Sequence, residues 1–381
     1  MVMMFRNIFF NVFFCVILFS LLSCKKDKYE WSPDITAPAH YPAGGAIVQF
    51  FYKGSVLGGA SSNTAISGGW GKGGGSFTSG EEKKPVPDSI SVSWDCAAEE
   101  IIYQGGAKLP REKMLELFCN GYMSSTRNRY KPKKETFAYI TAGMAPGGNV
   151  TVWLNTHDPD RSMDVEIMRF KANKIGVSDT SQSITLHTST GEEAKTILKY
   201  ISVHGIPKKV WEKPEDLYAY NLGYSYEEND MEINMLNLYS KAGTAYQDIT
   251  NFWDINTEVP WLKPNVSTTV LHRNLPVHII ASWWKKNTHP IKWFKTDIVL
   301  PTDFEARFSA GYINASTGKK EAYRELVIGV EKGGEYGRIW LGGKNRILQV
   351  MRFKAKLGKI DDSHSVNSGG YAEEVVYYPK Y

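Results

Sequence analysis

The sequence predicts a mainly β, α+β protein built as two tandem, internally duplicated antiparallel-sheet lobes, each with a short helix. Three observations carry this prediction. The pentapeptide Met-Arg-Phe-Lys-Ala stands at 168–172 and again at 351–355. Further matches precede both copies in the same order. The matched segments alternate apolar and polar residues with the period of two that marks half-buried strands.

Reading backwards from the two pentapeptides, "GGNVTVWL" at 147–154 faces "GGEYGRIWL" at 333–341, which sets Trp153 opposite Trp340. "KKETFAYITAGM" at 133–144 faces "KKEAYRELVIGV" at 319–330, and "GYMSST" from Gly121 faces "GYINAST" from Gly311. "LP" at 109–110 faces 300–301, and "PDSISVSW" at 87–94 faces "PVHIIASW" at 276–283. The unit is roughly 85 residues long and present twice, which makes a two-lobed protein; a solenoid needs at least three repeats. Within the first unit, Ile90, Val92 and Trp94 alternate with serines, and Val150, Val152 and Leu154 share one face. In "LPREKMLELF", Pro110 before Met114, Leu115 and Phe118 predicts a short helix with proline in its first turn. A longer helix joins the copies: Thr190 with Glu193 forms a capping box, Ile197, Tyr200, Ile201 and His204 give an apolar stripe, and Gly205 with Pro207 ends it. The lobes therefore span 31–205 and 206–381. Residues 69–88, rich in Gly and Lys, are expected to be a turn-rich loop.

The chain's beginning gives an address. Arg6 precedes an apolar run from Ile8 to Leu22, the n-region and h-region of a signal peptide and shorter than the ~20 residues of a membrane-spanning helix. Leu21-Leu22-Ser23-Cys24 resembles a lipobox, so residues 1–23 are expected to be cleaved and Cys24 to be lipidated, with 24–30 as a tether. A thiolate is nucleophilic enough to take the diacylglyceryl group, and several acyl chains (palmitate or similar) anchor a protein where one would not. The expected place is the outer membrane, facing the periplasm or the cell surface, with the membrane itself as partner through Cys24.

The full chain carries 45 basic and 40 acidic residues, a net charge of +5, too small an excess to imply a nucleic-acid partner. With 42% hydrophobic and 13% aromatic residues it has material for two cores. Of the four cysteines, Cys96 and Cys119 remain after Cys15 leaves and Cys24 takes lipid. An exported protein offers them two alternatives, a disulfide or two buried thiols, and spacing does not choose.

"WSPDITAPAHYP" at 31–42, "GMAPGGNVTVWL" at 143–154 and "GIPKKVW" at 205–211, followed by an aromatic-rich second half, resemble the bacterial lipoproteins grouped as domain of unknown function 2931. After "GIP…W" an aromatic and an arginine are expected in that family, whereas residues 212–216 read "EKPED". The resemblance brings no catalytic residues. Some members are associated with genes for antibacterial phospholipase effectors, which implies an immunity role.

Signatures of known chemistry do not match. Gly71-Lys72-Gly73 lacks the Ser or Thr that a P-loop places after its Lys, and "GGSFT" at 74–78 falls one glycine short of a nucleophile elbow. The eight histidines show no i, i+4 zinc spacing, and His157-Asp158-Pro159-Asp160 reads as a turn. No cofactor or metal is expected. The run 127–135, with Arg127, Arg129, Tyr130 and Lys131, suits lipid phosphates or an acidic partner, or is a longer solvated loop. Trp94, Trp153, Trp283 and Trp340, at equivalent places, are expected in the cores. Trp31, Trp70, Trp261 and Trp284 lie outside those anchors and are the candidates for contact with a protein or glycan. The reading is a non-catalytic, lipid-anchored binding protein; the alternative is an envelope hydrolase with an unfamiliar site.

Overall fold

A computed structural model of the chain describes residues 27–358 except 63–68, 72, 74, 75, 79, 125–132, 158–163, 179–190, 229, 248–264, 267–270, 286, 287, 289–291 and 345. The lipobox, Cys24, the basic run at 127–131 and Trp261 lie outside the described residues, as does Thr190 of the expected capping box.

The first lobe is two sheets face to face. One contains β1 (Ser32–Thr36), and the other β2 (Ala43–Tyr52), β3 (Ser55–Ser62), β4 (Ser89–Cys96) and β5 (Ile101–Lys108). Helix α1 (Arg111–Asn120) follows, then β6 (Tyr139–Ala145), β7 (Asn149–Asn155), β8 (Val165–Lys171) and β9 (Asn173–Val177). Strand order is β8-β7-β6-β1 in one sheet and β9-β5-β4-β2-β3 in the other, which continues into a short strand at Ser76–Thr78. After α2 (Gly191–His204), the second lobe runs through β10 (Tyr218–Tyr226), β11 (Met231–Ser240), β12 (Ala245–Gln247), β13 (Pro276–Lys285) and β14 (Lys292–Val299). It ends with α3 (Phe304–Ala310), β15 (Glu325–Val330), β16 (Tyr336–Gly343), β17 (Arg346–Lys354) and β18 (Lys356–Gly358). Its sheets contain the orders β17-β16-β15-β10 and β18-β14-β13-β11-β12.

The protein is thus mainly β with several antiparallel sheets and few helices. Each lobe departs from pure antiparallel pairing at one place: β1 pairs parallel with β6, and β10 parallel with β15. The cores are apolar on alternate positions. Ile90, Val92 and Trp94 of β4 and Ile279, Ala281 and Trp283 of β13 each face inward at 3% exposure or less. Trp94 stacks on Tyr103 with centroids 5.0 Å apart, and Trp283 on Phe294 at 6.2 Å. Pairing shifts by a bulge at Val152/Trp153 and again at Ile339/Trp340.

Both short helices form as the proline-led pattern requires, burying Met114 and Phe118 in α1 and Phe304 and Phe308 in α3. Gly121 (φ 58°) and Gly311 (φ 64°) end them, and an added Cβ at either would stand 2.2 Å from a carbonyl oxygen, of Glu135 and Glu321 respectively. Among its described residues, the stretch 69–88 contains two short strands, Ser76–Thr78 and Lys83–Pro85. Lys83–Pro85 pairs with Lys28–Glu30, and Lys84 is buried with its ammonium 4.7 Å from the Trp31 ring centroid. Residues 206–212 stay on the first lobe; the second lobe's first strand begins at Tyr218.

Candidate functional site

The lobes meet at a turn that one of them presents to the other. Ser240–Thr244, between β11 and β12, closes on itself through Gly243 N–H to Ser240 O (3.0 Å) and Ser240 N–H to Thr244 O (2.9 Å). Gly243 sits at φ 78°, and a Cβ there would lie 2.8 Å from Ala39 N. That close approach lets Gly243 O accept from both Ala39 N–H (3.1 Å) and Trp70 N–H (2.8 Å), while Ala242 O accepts from Trp211 Nε1–H (2.9 Å). Below the turn, the Glu215 carboxylate accepts from Ser240 Oγ–H and Ala242 N–H, both at 2.7 Å. Burial raises its pKa, against those two hydrogen bonds. Tyr41, Trp70, Ala145, Trp153, Trp211 and Ala242 close the joint as one apolar cluster.

Beside this joint lies a cluster of titratable rings. His40 follows β1 in a left-handed conformation (φ 71°) and is 4% exposed. Its ring stacks on Tyr200 of α2 at 3.9 Å, with Tyr239 of β11 at 5.7 Å and His278 of β13 at 5.6 Å. Tyr239 stacks on His278 at 5.1 Å, and Tyr200 contacts His204 at 4.2 Å. His278 Nε2 contacts Asp297 Oδ1 across the strand pair, a diagonal neighbour because Val299 stands directly opposite His278. His278 Nδ1 has no hydrogen-bond partner among the described residues. Burial holds His40 well below the usual histidine range, with the charges of His278 and His204 adding to it; His204 is lowered for the same reasons. Burial also pushes the Tyr239 hydroxyl up to about 12. Lys295, further along the same face, is lowered by burial against the opposing pull of Asp297.

A second polar knot lies within the first lobe. The Glu99 side chain, 2% exposed, meets Lys208 Nζ at 2.5 Å, and accepts from Gly147 N–H at 2.5 Å and Tyr103 O–H at 3.0 Å. Burial pushes its pKa up, but the Lys208, Gly147 and Tyr103 hydrogen bonds outweigh it and leave it below the usual carboxylate range. Cys96 Sγ lies 3.5 Å from Glu99 Oε2. It is a free, buried thiol, so it is not bridged to Cys119. Burial and the Glu99 charge raise the thiol's pKa well above its ordinary value, which makes it a poor nucleophile. Among the described residues, no group of three or more His, Cys, Asp or Glu is placed to hold a metal ion.

The tryptophans divide differently from the sequence expectation. Trp94, Trp153, Trp283 and Trp340 are buried. Trp31 (2% exposed) is also core, packed edge-on against Phe50 at 5.6 Å, which corrects its place among the contact candidates. Trp70 needs the same correction: it is 4% exposed and edge-on to Trp153 at 5.1 Å, a joint residue. Sequence spacing hid both, because each is buried by a strand or turn from elsewhere in the chain. Trp284 is the candidate that stays half-buried, with its ring 6.3 Å from Trp293, its cross-strand partner. Sequence reasoning missed His40, His278 and Asp297 as a group; the signal available was His278 standing where the first unit has Ser89.

Residues 22–208 match the family model described as "Protein of unknown function (DUF2931)". The chain carries a DUF2931 domain. The matched range takes in His40, Glu99, Tyr200, His204 and Lys208, whereas Tyr239, His278 and Asp297 lie beyond it. No curated protein and no solved structure matches the chain.

Proposed function

We propose that this chain is a lipid-anchored binding lipoprotein of the bacterial outer membrane, facing the periplasm or the cell surface, that holds a protein or glycan partner without turning it over. Anchoring rests on Leu21-Leu22-Ser23-Cys24 and the apolar run before it. The two lobes are read as copies of one unit, supported by equal strand orders, equal parallel pairs and bulges at Trp153 and Trp340. Binding rests on one observation, the Trp284–Trp293 pair. Two half-buried indoles side by side at a strand end form an aromatic platform. Such surfaces concentrate binding energy for sugars and protein anchors.

Two experiments test this. Protease shaving of intact cells, with a Cys24→Ala variant, reads the anchor and the side. Retention of the variant in the membrane through an uncleaved leader would refute lipidation. Pull-down on purified peptidoglycan and envelope polysaccharide, with Trp284→Ala and Trp293→Ala beside the wild type, reads the platform. Retention of the wild type and loss in both variants is expected; equal behaviour of all three refutes the platform. The immunity version predicts that expressing the chain protects cells against a delivered phospholipase effector.

The hydrolase reading has one observation in its favour, the buried His278–Asp297 contact with His278 Nδ1 unpaired among the described residues. A lipid or glycan ester turned over by the wild type, and lost in a folded His278→Ala protein, would establish it.

A further inference from the structure

The two lobes put a hairpin at the same place in their strand order to different uses. In the second lobe the turn after β11, Ser240–Thr244, enters the joint: Ala242 is 1% exposed, and a Cβ on Gly243 would stand 2.8 Å from Ala39 N. In the first lobe the hairpin of β2 and β3 turns at Lys53 and Gly54, both left-handed (φ 50° and 79°), and a Cβ on Gly54 would meet nothing within 4 Å. Residues 53–56 are exposed. Val56 keeps 57% of its surface in solvent, opposite half-buried Phe51. Tyr52 is half-buried beside them, with Lys53 Nζ 5.1 Å from its ring centroid. An apolar tip carrying a tyrosine and a lysine is a composition that the water–lipid interface favours.

The chain enters the fold at this same end. Val86 N–H donates to Asp27 O at 3.3 Å, just before Lys28–Glu30 pairs with Lys83–Pro85. Arg111 Nε–H donates to Val86 O at 3.0 Å, and its guanidinium lies 4.7 Å from the Tyr52 ring centroid. Asp88 N–H donates to Phe51 O at 2.9 Å, while the Asp88 carboxylate accepts from Lys53 N–H at 2.8 Å and Ser89 Oγ–H at 2.7 Å. Lys108, exposed, pairs with Ser89 at that end. Asp27 and the hairpin tip thus lie on two sides of one short stretch, 86–88. In sequence Cys24 stands three residues before Asp27, a span of at most about 11 Å, and the residues between are Lys25 and Lys26.

We infer that this end of the first lobe rests on the phospholipid bilayer that takes the Cys24 acyl chains, with Phe51, Tyr52 and Val56 in the headgroup layer and Lys53 and Lys108 on its phosphates. The inference rests on the lipid-anchoring reading and adds an orientation to it. The headgroup layer is roughly 5–8 Å deep on each side of a bilayer, so an anchor this close to Asp27 keeps the hairpin tip within its reach. Charge is mixed here, with Lys28 4.0 Å from Glu81 and Arg111 3.8 Å from Glu112. Tether length and the apolar tip, rather than net charge, therefore select the occupant. No residue of the Trp284–Trp293 platform takes part, so either surface can fail alone.

The test is hydrogen exchange of the segment 51–56, read by mass spectrometry. It compares the mature lipidated chain, 24–381, in vesicles of phosphatidylethanolamine and phosphatidylglycerol with the same chain carrying Cys24→Ala, free in solution. Exchange at the tip should be at least about tenfold slower in the vesicles. Val56→Asp should remove most of that protection, and Lys53→Glu should reduce it about fivefold, as loss of one lysine at a lipid surface does. Both positions are exposed, and circular dichroism checks that the fold is kept. Ile347→Asp, at a 53% exposed position of the second lobe, should change nothing. The intact mass of the vesicle-bound chain reads the acyl groups on Cys24 separately. A chain without them overturns the anchoring reading and this inference together, whereas a lipidated chain whose tip exchanges equally in both states overturns this inference alone. Loss of protection in Ile347→Asp equal to that in Val56→Asp overturns it as well. So does protection of the tip in the lipid-free chain that grows with its concentration, which would make a second copy the occupant.

Discussion

The same sheet face serves opposite ends in the two lobes. On β4 the outward residues are Ser89, Ser91 and Ser93, all half-buried, with Gln49 and Gln104 exposed on the strands beside them. On β13 the same positions are His278, Ile280 and Ser282, at 4%, 4% and 1% exposure, with Asn237 buried on β11. Register makes the comparison exact in pairing: Ser91 faces Gly106, and Ile280 faces Asp297. A glycine and three serines leave a flat, wet surface. A carboxylate and an imidazole at those places make a face that needs a cover, and His40 with α2 lies against it. One β framework therefore supports a solvent face or a buried polar joint according to a few outward residues, because the inward residues that set the core are untouched by the exchange.

The largest effect should come from the inward face, where the lobes are alike. Trp94→Ala and Trp283→Ala each remove a buried indole and should each cost about 3–5 kcal/mol. Calorimetry of the two variants should show losses of similar size. A loss confined to one of them would break the view that the lobes use one packing solution.

The outward face should separate them. His278→Ser installs the first lobe's residue and strands the Asp297 carboxyl in a buried site, at a cost of about 3 kcal/mol. Asp297→Ala strands the imidazole instead, at about 1–3 kcal/mol. The double variant should cost less than the sum, a coupling measured by denaturant unfolding of all four proteins. Ser89→Ala in the first lobe should change stability by less than about 0.5 kcal/mol. Additive costs at 278 and 297 would mean that the contact contributes nothing of its own.

What was legible follows the same division. Inward residues show in sequence because burial imposes a period: Ile90, Val92, Trp94 and the two pentapeptides could be read directly, and Gly205, at φ 65°, marked the real end of the longer helix. The front part of each lobe was not legible as a match, although the pairing agrees. Lys84 stacks over Trp31 from the strand beside 28–30, as Arg273 does over Tyr220 from the strand beside β10. Each lobe has a cation over a ring there, with different residue types, so the packing agrees where the sequence shows no match. The junction was least legible. His40 and His278 lie on different lobes, and nothing local in either stretch announces a cluster that exists only once the lobes dock.

Acidification should act on the junction next. His40 and His204 are held below the ordinary histidine value in the folded protein, so the unfolded chain takes up protons first as pH falls. Their contribution is complete above the unfolded value near 6.5 and is lost as pH drops from there toward the lower folded values. The slope should approach about 1.4 kcal/mol per pH unit for the buried His40, with a smaller share from His204, which solvent screens. Thermal melts from pH 7.5 downward should show the fall, and His40→Phe, which keeps a ring against Tyr200, should flatten it. An unchanged slope in that variant would place the pH sensitivity elsewhere.

The smallest expected effect lies at the outward lysines of the two pentapeptides. Lys171 forms an ion pair with Glu212 that is about half exposed on both sides, and Lys354 lies over the Tyr336 ring. Exposed pairs of this kind contribute little, since solvent screens the charges and ordering two long side chains offsets the attraction. Lys171→Ala and Lys354→Ala should therefore each shift stability by no more than about 0.5 kcal/mol, within reach of denaturant melts run in parallel. Their equality is the informative outcome, since it would make the two outward lysines of the repeated pentapeptide alike in both lobes. A clearly larger loss at Lys354 would break the comparison at this position and tie the lysine over the Tyr336 ring to the fold.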